Sequence, residues 1–300
     1  MTIMNERKAY FYCLIVAVIW GLGFIAVDEA LVSFSCFDIL FIRFVGSAAL
    51  AWLLIIKKVK KIHMRTVKKG MMNGVLLFIA YALQTYAQTL TSVSNNAFLS
   101  ASGVVMVPYL CYLVFKKKPS KRQILSSCLC LIGIGVLTTS KMSFELGDFL
   151  AFSCAIFFAA HLVSLQYTCV LEDSQVINAL QLGTCACLSI PCTLLFSKVP
   201  SAISLNSILS CIYIVVFATF LCFFLQTKAQ QVASASSCSV ILSTESLFAV
   251  IFSVILLKET IHMNLLIGGL MILISVILVQ TSSLKNVSSE KTRYKHKAYR

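Results

Sequence analysis

Stretches of about twenty apolar residues, the length needed to cross about 30 Å of hydrocarbon, recur along this chain from Ala9 to Thr281. No soluble core of 300 residues could bury so many. Residues of the AVILMFWYC set make up 59% of the chain and charged residues 12%, whereas a soluble domain is near half apolar and a quarter charged. Backbone polar groups inside hydrocarbon must be satisfied within the spanning structure, which leaves helices or closed barrels. Uninterrupted apolar runs lack the alternation of a barrel strand. The chain reads as an all-α membrane protein with ten transmembrane helices, over approximately Ala9–Val27, Asp38–Ile56, Gly70–Leu90, Asn95–Phe115, Gln123–Ser140, Gly147–Thr168, Val176–Phe196, Ser207–Gln226, Ala233–Leu257 and His262–Thr281. The first run is long for a signal peptide and lacks a small-x-small cleavage site, so it is kept as a mature helix.

Within this pattern the chain repeats itself. LQTYAQTLTSVSNNAFL from Leu83 returns as LQTKAQQVASASSCSVI from Leu225, an offset of 142 residues. Earlier in each unit the offset is 138, which sets Trp20 opposite Phe158 and Asp38–Arg43 opposite Val176–Gln181. The expected units are 1–140 and 141–281, followed by a basic tail, 282–300, with too few apolar residues to fold. Five spans per unit is an odd number, so the second unit enters the membrane upside down. Inverted repeats of this kind place a substrate site near the midplane between the units, and alternating access follows from exchange of conformation between them. The LQTxAQ turns then close opposite mouths.

The net charge of +14 follows a simple rule. With a cytoplasmic N-terminus, the inner segments hold Arg7 and Lys8, seven Lys and Arg between Lys57 and Lys69, five from Lys116 to Arg122, Lys228, and six in the tail. The outer loops hold only Lys141, Lys198 and Lys258, and Arg43 lies within a span. This positive-inside bias sets both termini in the cytoplasm, with the chain in the inner membrane. Attraction to anionic lipid accounts for the dense basic run, and nucleic acid is not an expected partner. The thirteen cysteines show no Cys-x-x-Cys and no ligand spacing with His, so they read as small apolar residues with neither metal nor cofactor. No HExxH and no Gly-x-Ser-x-Gly is present, and an enzyme is not expected. A phosphate-cradling Gly-x-x-x-x-Gly-Lys-Ser/Thr is also missing, which points to a secondary carrier.

Trp20-Gly21, Arg43, Leu83-Gln84-Thr85 running into Asn96-Ala97-Phe98-Leu99, Val107-Pro108, Lys118-Pro119-Ser120, Gly147-Asp148, Phe158-Ala159-Ala160-His161, Gln226-Thr227-Lys228-Ala229-Gln230, Leu242-x-x-Glu245 and Leu257-Lys258-Glu259 together resemble the EamA branch of the drug/metabolite transporter superfamily. The resemblance covers all ten spans. It implies a carrier of a small polar metabolite, an amino acid or related compound, with export favoured. Uptake or exchange of metabolites or nucleotides by the same fold is the alternative, and a sensor or scaffold that binds without transporting is the alternative of another class. Where the family has Glu-Pro in span nine, this chain has Glu245-Ser246. Loss of that proline is expected to straighten the helix or shift its kink.

Candidate substrate-binding residues are Trp20, Tyr81, Gln84, Asn96, His161, Gln226 and Glu245. An acid about twelve residues into a span is costly unless paired or wet, and intramembrane ionisable groups are functional by default. Glu245 is therefore read as a binder of a cationic group or a carrier of a coupling proton. His161 is a second proton candidate, since its unperturbed pKa lies near neutrality. The Trp20 indole, mid-span, needs a partner for its N–H, and its ring is a candidate pocket wall. Gln84, Asn95, Asn96 and Gln226 suit either interhelical hydrogen bonds or gate contacts. Arg43 reads as an anchor that snorkels or pairs with Asp38 or Glu29 at the surface, with binding of a substrate carboxylate as the alternative. Gly21, Gly23, Gly133, Gly135, Gly268 and Gly269 read as close-packing positions. A homodimer is a candidate assembly.

Overall fold

The computed structural model describes residues 4–91, 93–116, 118–137, 145–197, 202–256 and 263–283. Thirteen α-helices follow one another in these residues: α1 Glu6–Leu31, α2 Cys36–Ile55, α3 Met64–Ala87, α4 Val93–Ala101, α5 Gly103–Phe115, α6 Lys121–Leu137, α7 Leu146–Leu171, α8 Ser174–Phe196, α9 Leu205–Tyr213, α10 Cys222–Ala229, α11 Ala235–Leu242, α12 Glu245–Leu256 and α13 Met263–Ser283. Polar residues set their starts. The Asn5 side chain accepts from Lys8 N, Ser35 and Asp38 form a capping box at α2, and Ser204 and Ser234 cap α9 and α11. Each cap satisfies an amide that has no partner in the first turn.

Among the described residues seven stretches are long and apolar enough to cross a membrane, and α13 contributes a shorter one, Leu266–Val279. The helices that fall short are explained by sequence: α3 opens on Arg65, Lys68 and Lys69, and α6 is only 17 residues long. Large apolar side chains cover the outside of the bundle, among them Leu194 at 81% exposure, Leu195 at 74% and Leu53 at 65%. Such a continuous apolar exterior suits lipid rather than water.

Two expected spans are broken. Span four divides at Ser102 into α4 and α5, and span nine divides at Ser243–Thr244 into α11 and α12. Of the two outcomes expected without the proline, a straighter helix or a shifted kink, the second break excludes the first. Hydroxyls reinforce the turns at the breaks: Ser102 Oγ donates to Leu99 O at 2.6 Å and Thr244 Oγ1 to Ile241 O at 2.7 Å. These two bonds are related by the 142-residue offset. A wide π-helical segment, Ile214–Leu221, joins α9 to α10.

The packing also repeats. α1 packs on α10, α11 and α12, while α7 packs on α3, α4 and α5. α2 packs on α8 and α6 on α13. Helix ends follow the same offset: α3 ends at Ala87 and α10 at Ala229, α4 starts at Val93 and α11 at Ala235. Close approach is bought with glycine. A Cβ at Gly21 would stand 2.7 Å from Phe248 Cβ, and one at Gly74 2.5 Å from Thr184 Cβ. Where α2 leaves the bundle and α8 enters it, Lys58 and Lys69 pair with Asp173 and Glu172 at 2.7 and 2.6 Å. Burial raises the Asp173 carboxyl, but Lys58 and the N–H groups of Gln175 and Val176 outweigh it and hold the group below the usual carboxylate range.

Candidate functional site

The repeated packing leaves a cavity of about 110 Å3 between α1, α2, α3, α7, α10, the π-helical segment and the two broken helices. Aromatic rings shape its middle. Trp20 meets Phe223 at 5.6 Å between centroids, and Phe158 meets Tyr81 at 5.2 Å. These are one contact made twice, because 20 and 158, like 81 and 223, are equivalent positions in the repeat. Tyr81 and Phe223 then meet each other at 6.1 Å.

The π-helical segment reaches the cavity with its backbone. In a π turn the carbonyls no longer accept from the N–H four residues on, and two of them are also reached from the other half of the chain. Trp20 Nε1 donates to Ala218 O at 2.7 Å and Ser47 Oγ to Val215 O at 2.9 Å. The partner that the mid-span indole required is therefore a carbonyl, and the ring is fixed as a wall.

Six of the seven candidate binding residues line this cavity: Trp20, Tyr81, Gln84, His161, Gln226 and Glu245. Asn96 stands just behind, its Nδ2 donating to Gln84 O at 3.0 Å. The side chain of Asn95 lies outside the described residues. Glu245 begins α12 at the break, half-buried, and its carboxylate makes neither a hydrogen bond nor an ion pair among the described residues. His161 is buried, with Nε2 3.0 Å from Gln181 Oε1. Gln226 Oε1 is buried without a hydrogen-bond partner among the described residues.

Arg43 requires a correction. It does not pair with Asp38 or Glu29. Asp38 closes the α2 capping box and accepts from Ser197 Oγ at 2.5 Å. Arg43 turns inward instead, 4% exposed, with Nε donating to Thr219 Oγ1 at 3.2 Å and Cζ 4.2 Å from the centroid of the Tyr81 ring. It lines the cavity. The guanidinium prefers this place because an aromatic face and a hydroxyl replace part of its lost hydration. The signal was present in the sequence: the repeat sets Arg43 opposite Gln181, itself a buried polar group beside the site.

Two glutamines make equivalent bonds in the two halves, Gln88 at the cavity wall. Gln88, ending α3, donates from Nε2 to Phe24 O at 3.3 Å, and Gln230, ending α10, donates to Leu162 O at 2.9 Å. Both pairs obey the offsets of 142 and 138. Among the described residues no cluster of three His, Cys, Asp or Glu side chains is arranged to hold a metal ion.

The EamA-like transporter family model matches this chain twice, over residues 7–139 and 145–281. The chain belongs to the EamA-like transporter family. An uncharacterized transporter of Archaeoglobus fulgidus is 31% identical over 265 residues, which cover 88% of this chain and 83% of that protein. A solved crystal structure of a protein at 12% identity superimposes with a TM-score of 0.79, covering 93% of this chain and 99% of that one. The fold is thus shared far beyond sequence similarity. This EamA-like chain is a multi-pass membrane transporter.

Proposed function

We propose that this transporter is a secondary carrier that moves a small polar metabolite, an amino acid or a related compound, across the cytoplasmic membrane by alternating access, export being the direction the family resemblance favours. The observation that carries the reading is the central cavity. It holds an acid with no protein partner at a helix break, flanked by a symmetric pair of aromatic contacts. A polar solute can replace there the hydration that Glu245 loses, and helix breaks at membrane depth belong where they line such a site.

In this reading ten helices span the membrane as two inverted five-helix repeats, residues 1–140 and 141–281. Support comes from the twofold family match and from the crossed packing of α1 and α7. The basic residues on alternate loops favour cytoplasmic termini, with 282–300 as a cytoplasmic tail. The hydrogen bonds of Gln88 and Gln230 are candidate latches at opposite mouths. A proton is the candidate coupling ion, carried by Glu245 or His161. The binding-only alternative rested on the missing proline, and the break at Ser243–Thr244 persists without it.

Counterflow tests the reading. Proteoliposomes loaded with a mixed metabolite pool and diluted into labelled amino acids, nucleosides and sugars should accumulate amino-acid label. Accumulation of nucleoside label alone would select the alternative carrier reading. Binding of a ligand with no flux would support the sensor.

A further inference from the structure

The cavity carries two opposite charges that do not meet. Arg43 on α2 and Glu245 at the start of α12 both line it, and the ion pairs among the described residues are Lys58–Asp173 and Lys69–Glu172, neither of them here. Each charge is incompletely compensated. Arg43 spends Nε on the Thr219 hydroxyl and rests its plane on Tyr81, while its remaining N–H groups have no protein acceptor among the described residues. Glu245 has no hydrogen-bond partner at all among them.

Both charges also break the internal symmetry. The position equivalent to Arg43 is Gln181, which hydrogen-bonds to His161 and Asn178. The position equivalent to Glu245 is Gly103, where even a Cβ would come within 2.7 Å of Ala155 O. A scaffold that repeats its aromatic contacts and its glutamine bonds therefore keeps one cation in the first half and one anion in the second. A buried ion without a partner is costly. A purely anionic ligand would satisfy Arg43 and repel Glu245, and a purely cationic one would do the reverse. A molecule with both charges compensates both.

We propose that the substrate is a zwitterion held in one orientation, its carboxylate on the free N–H groups of Arg43 and its ammonium on Glu245. This rests on the carrier reading above and narrows it. The asymmetry fixes the polarity of the ligand relative to the two halves, so the substrate is handed over between mouths without turning around.

The test is counterflow by wild-type protein, Arg43→Gln, Arg43→Lys and Glu245→Gln, with labelled phenylalanine, leucine, serine and methionine. Competitors are the amides and the 2-hydroxy acids of the same four side chains. In the wild type, both competitor classes should compete at least about 10-fold more weakly than the amino acid, since each leaves one charge unpaired. Arg43→Gln should weaken the amino acid about 10- to 100-fold while changing the amide less than about 3-fold, and Glu245→Gln should do the same with the 2-hydroxy acid spared. Arg43→Lys, which keeps the charge and loses the planar fork, should fall between. Equal weakening of every compound by either variant, or no change in the pattern, would overturn the proposal. Flux of sugars or nucleosides without amino acids would overturn it and leave the carrier standing. No flux of any class by monodisperse, inserted protein would overturn both.

Discussion

Two glycines two residues apart on α1 give opposite expectations for the same substitution. At Gly21 an added methyl would lie 2.7 Å from Phe248 Cβ, 2.9 Å from Ala249 N and 3.0 Å from Glu245 O. Two of those three atoms are backbone, so no rotamer change relieves the clash. Carbon atoms rest at about 3.5–4.0 Å, so α1 and α12 must separate by about 1 Å. At Gly23 the added methyl meets only Ala218 Cβ, at 3.7 Å, an ordinary contact. The gain in helix propensity from Gly to Ala is common to both and cancels in the comparison. Overpacking costs about 1–3 kcal/mol, so Gly21→Ala should unfold at a temperature lower than Gly23→Ala by a few degrees, up to about ten. Because the displaced α12 begins at Glu245, Gly21→Ala should also lose flux. Thermal unfolding of both variants in the same detergent reads the difference directly. Equal midpoints, or a lower one for Gly23→Ala, would refute the close packing of α1 on α12.

Other perturbations have equally defined outcomes. Ser246 N makes only a long bond to Ser243 O, 3.3 Å, and lies in the first turn of α12, so Ser246→Pro should be tolerated within about 1 kcal/mol by thermal unfolding and should keep transport. Trp20→Phe removes the 2.7 Å bond to Ala218 O, which should cost about 0.5–1.5 kcal/mol in the same assay. Gln88→Leu and Gln230→Leu should slow flux to similar extents, because each removes the same bond at an equivalent corner; a strong effect at one and none at the other would deny them equivalent roles. The folded pKa of Asp173 is depressed, so its pairing with Lys58 contributes stability above the unfolded value of about 3.9 that is lost as pH falls through the lower folded value. Unfolding midpoints of wild type and Asp173→Asn should differ at pH 6 by no more than a small amount, since both partners are about 40% exposed, and should converge as pH falls below 4.

Much of this was legible in the sequence because the repeat acts on residues that can be aligned by eye. Trp20 with Phe158 and Gln84 with Gln226 are equivalent in the structure as in the text of the chain. The repeat, which sets Arg43 opposite Gln181, signals its inward turn, but its contacts were not legible. Sequence distance set it beside Asp38, but Asp38 is consumed by the Ser35 cap, and the groups that receive the guanidinium come from Tyr81 and Thr219, far along the chain. At span nine a straighter helix and a shifted kink were both open, and the break at Ser243–Thr244, where the Thr244 hydroxyl bonds Ile241 O, excludes the straight helix. Close packing was seen at Gly21, Gly133 and Gly269 but not at Gly70, Gly74 or Gly103, which lie opposite Leu180, Thr184 and Ala155, although Gly70 and Gly74 form a Gly-x-x-x-Gly pair that could have signalled it. Nothing in the apolar run Ile214–Leu221 announces a π turn. Lys258 and Glu259, quoted for the family resemblance, lie outside the described residues, as do the residues of the tail from 284 onward.

The central claim is that the cavity around Glu245 is the transport site. It is tested most directly by counterflow of labelled amino acids into vesicles holding wild-type protein or Glu245→Gln at matched amounts, with insertion verified. The account predicts accumulation in the wild type and its loss in the variant. Undiminished accumulation with Glu245→Gln would contradict it and place the site elsewhere in the chain.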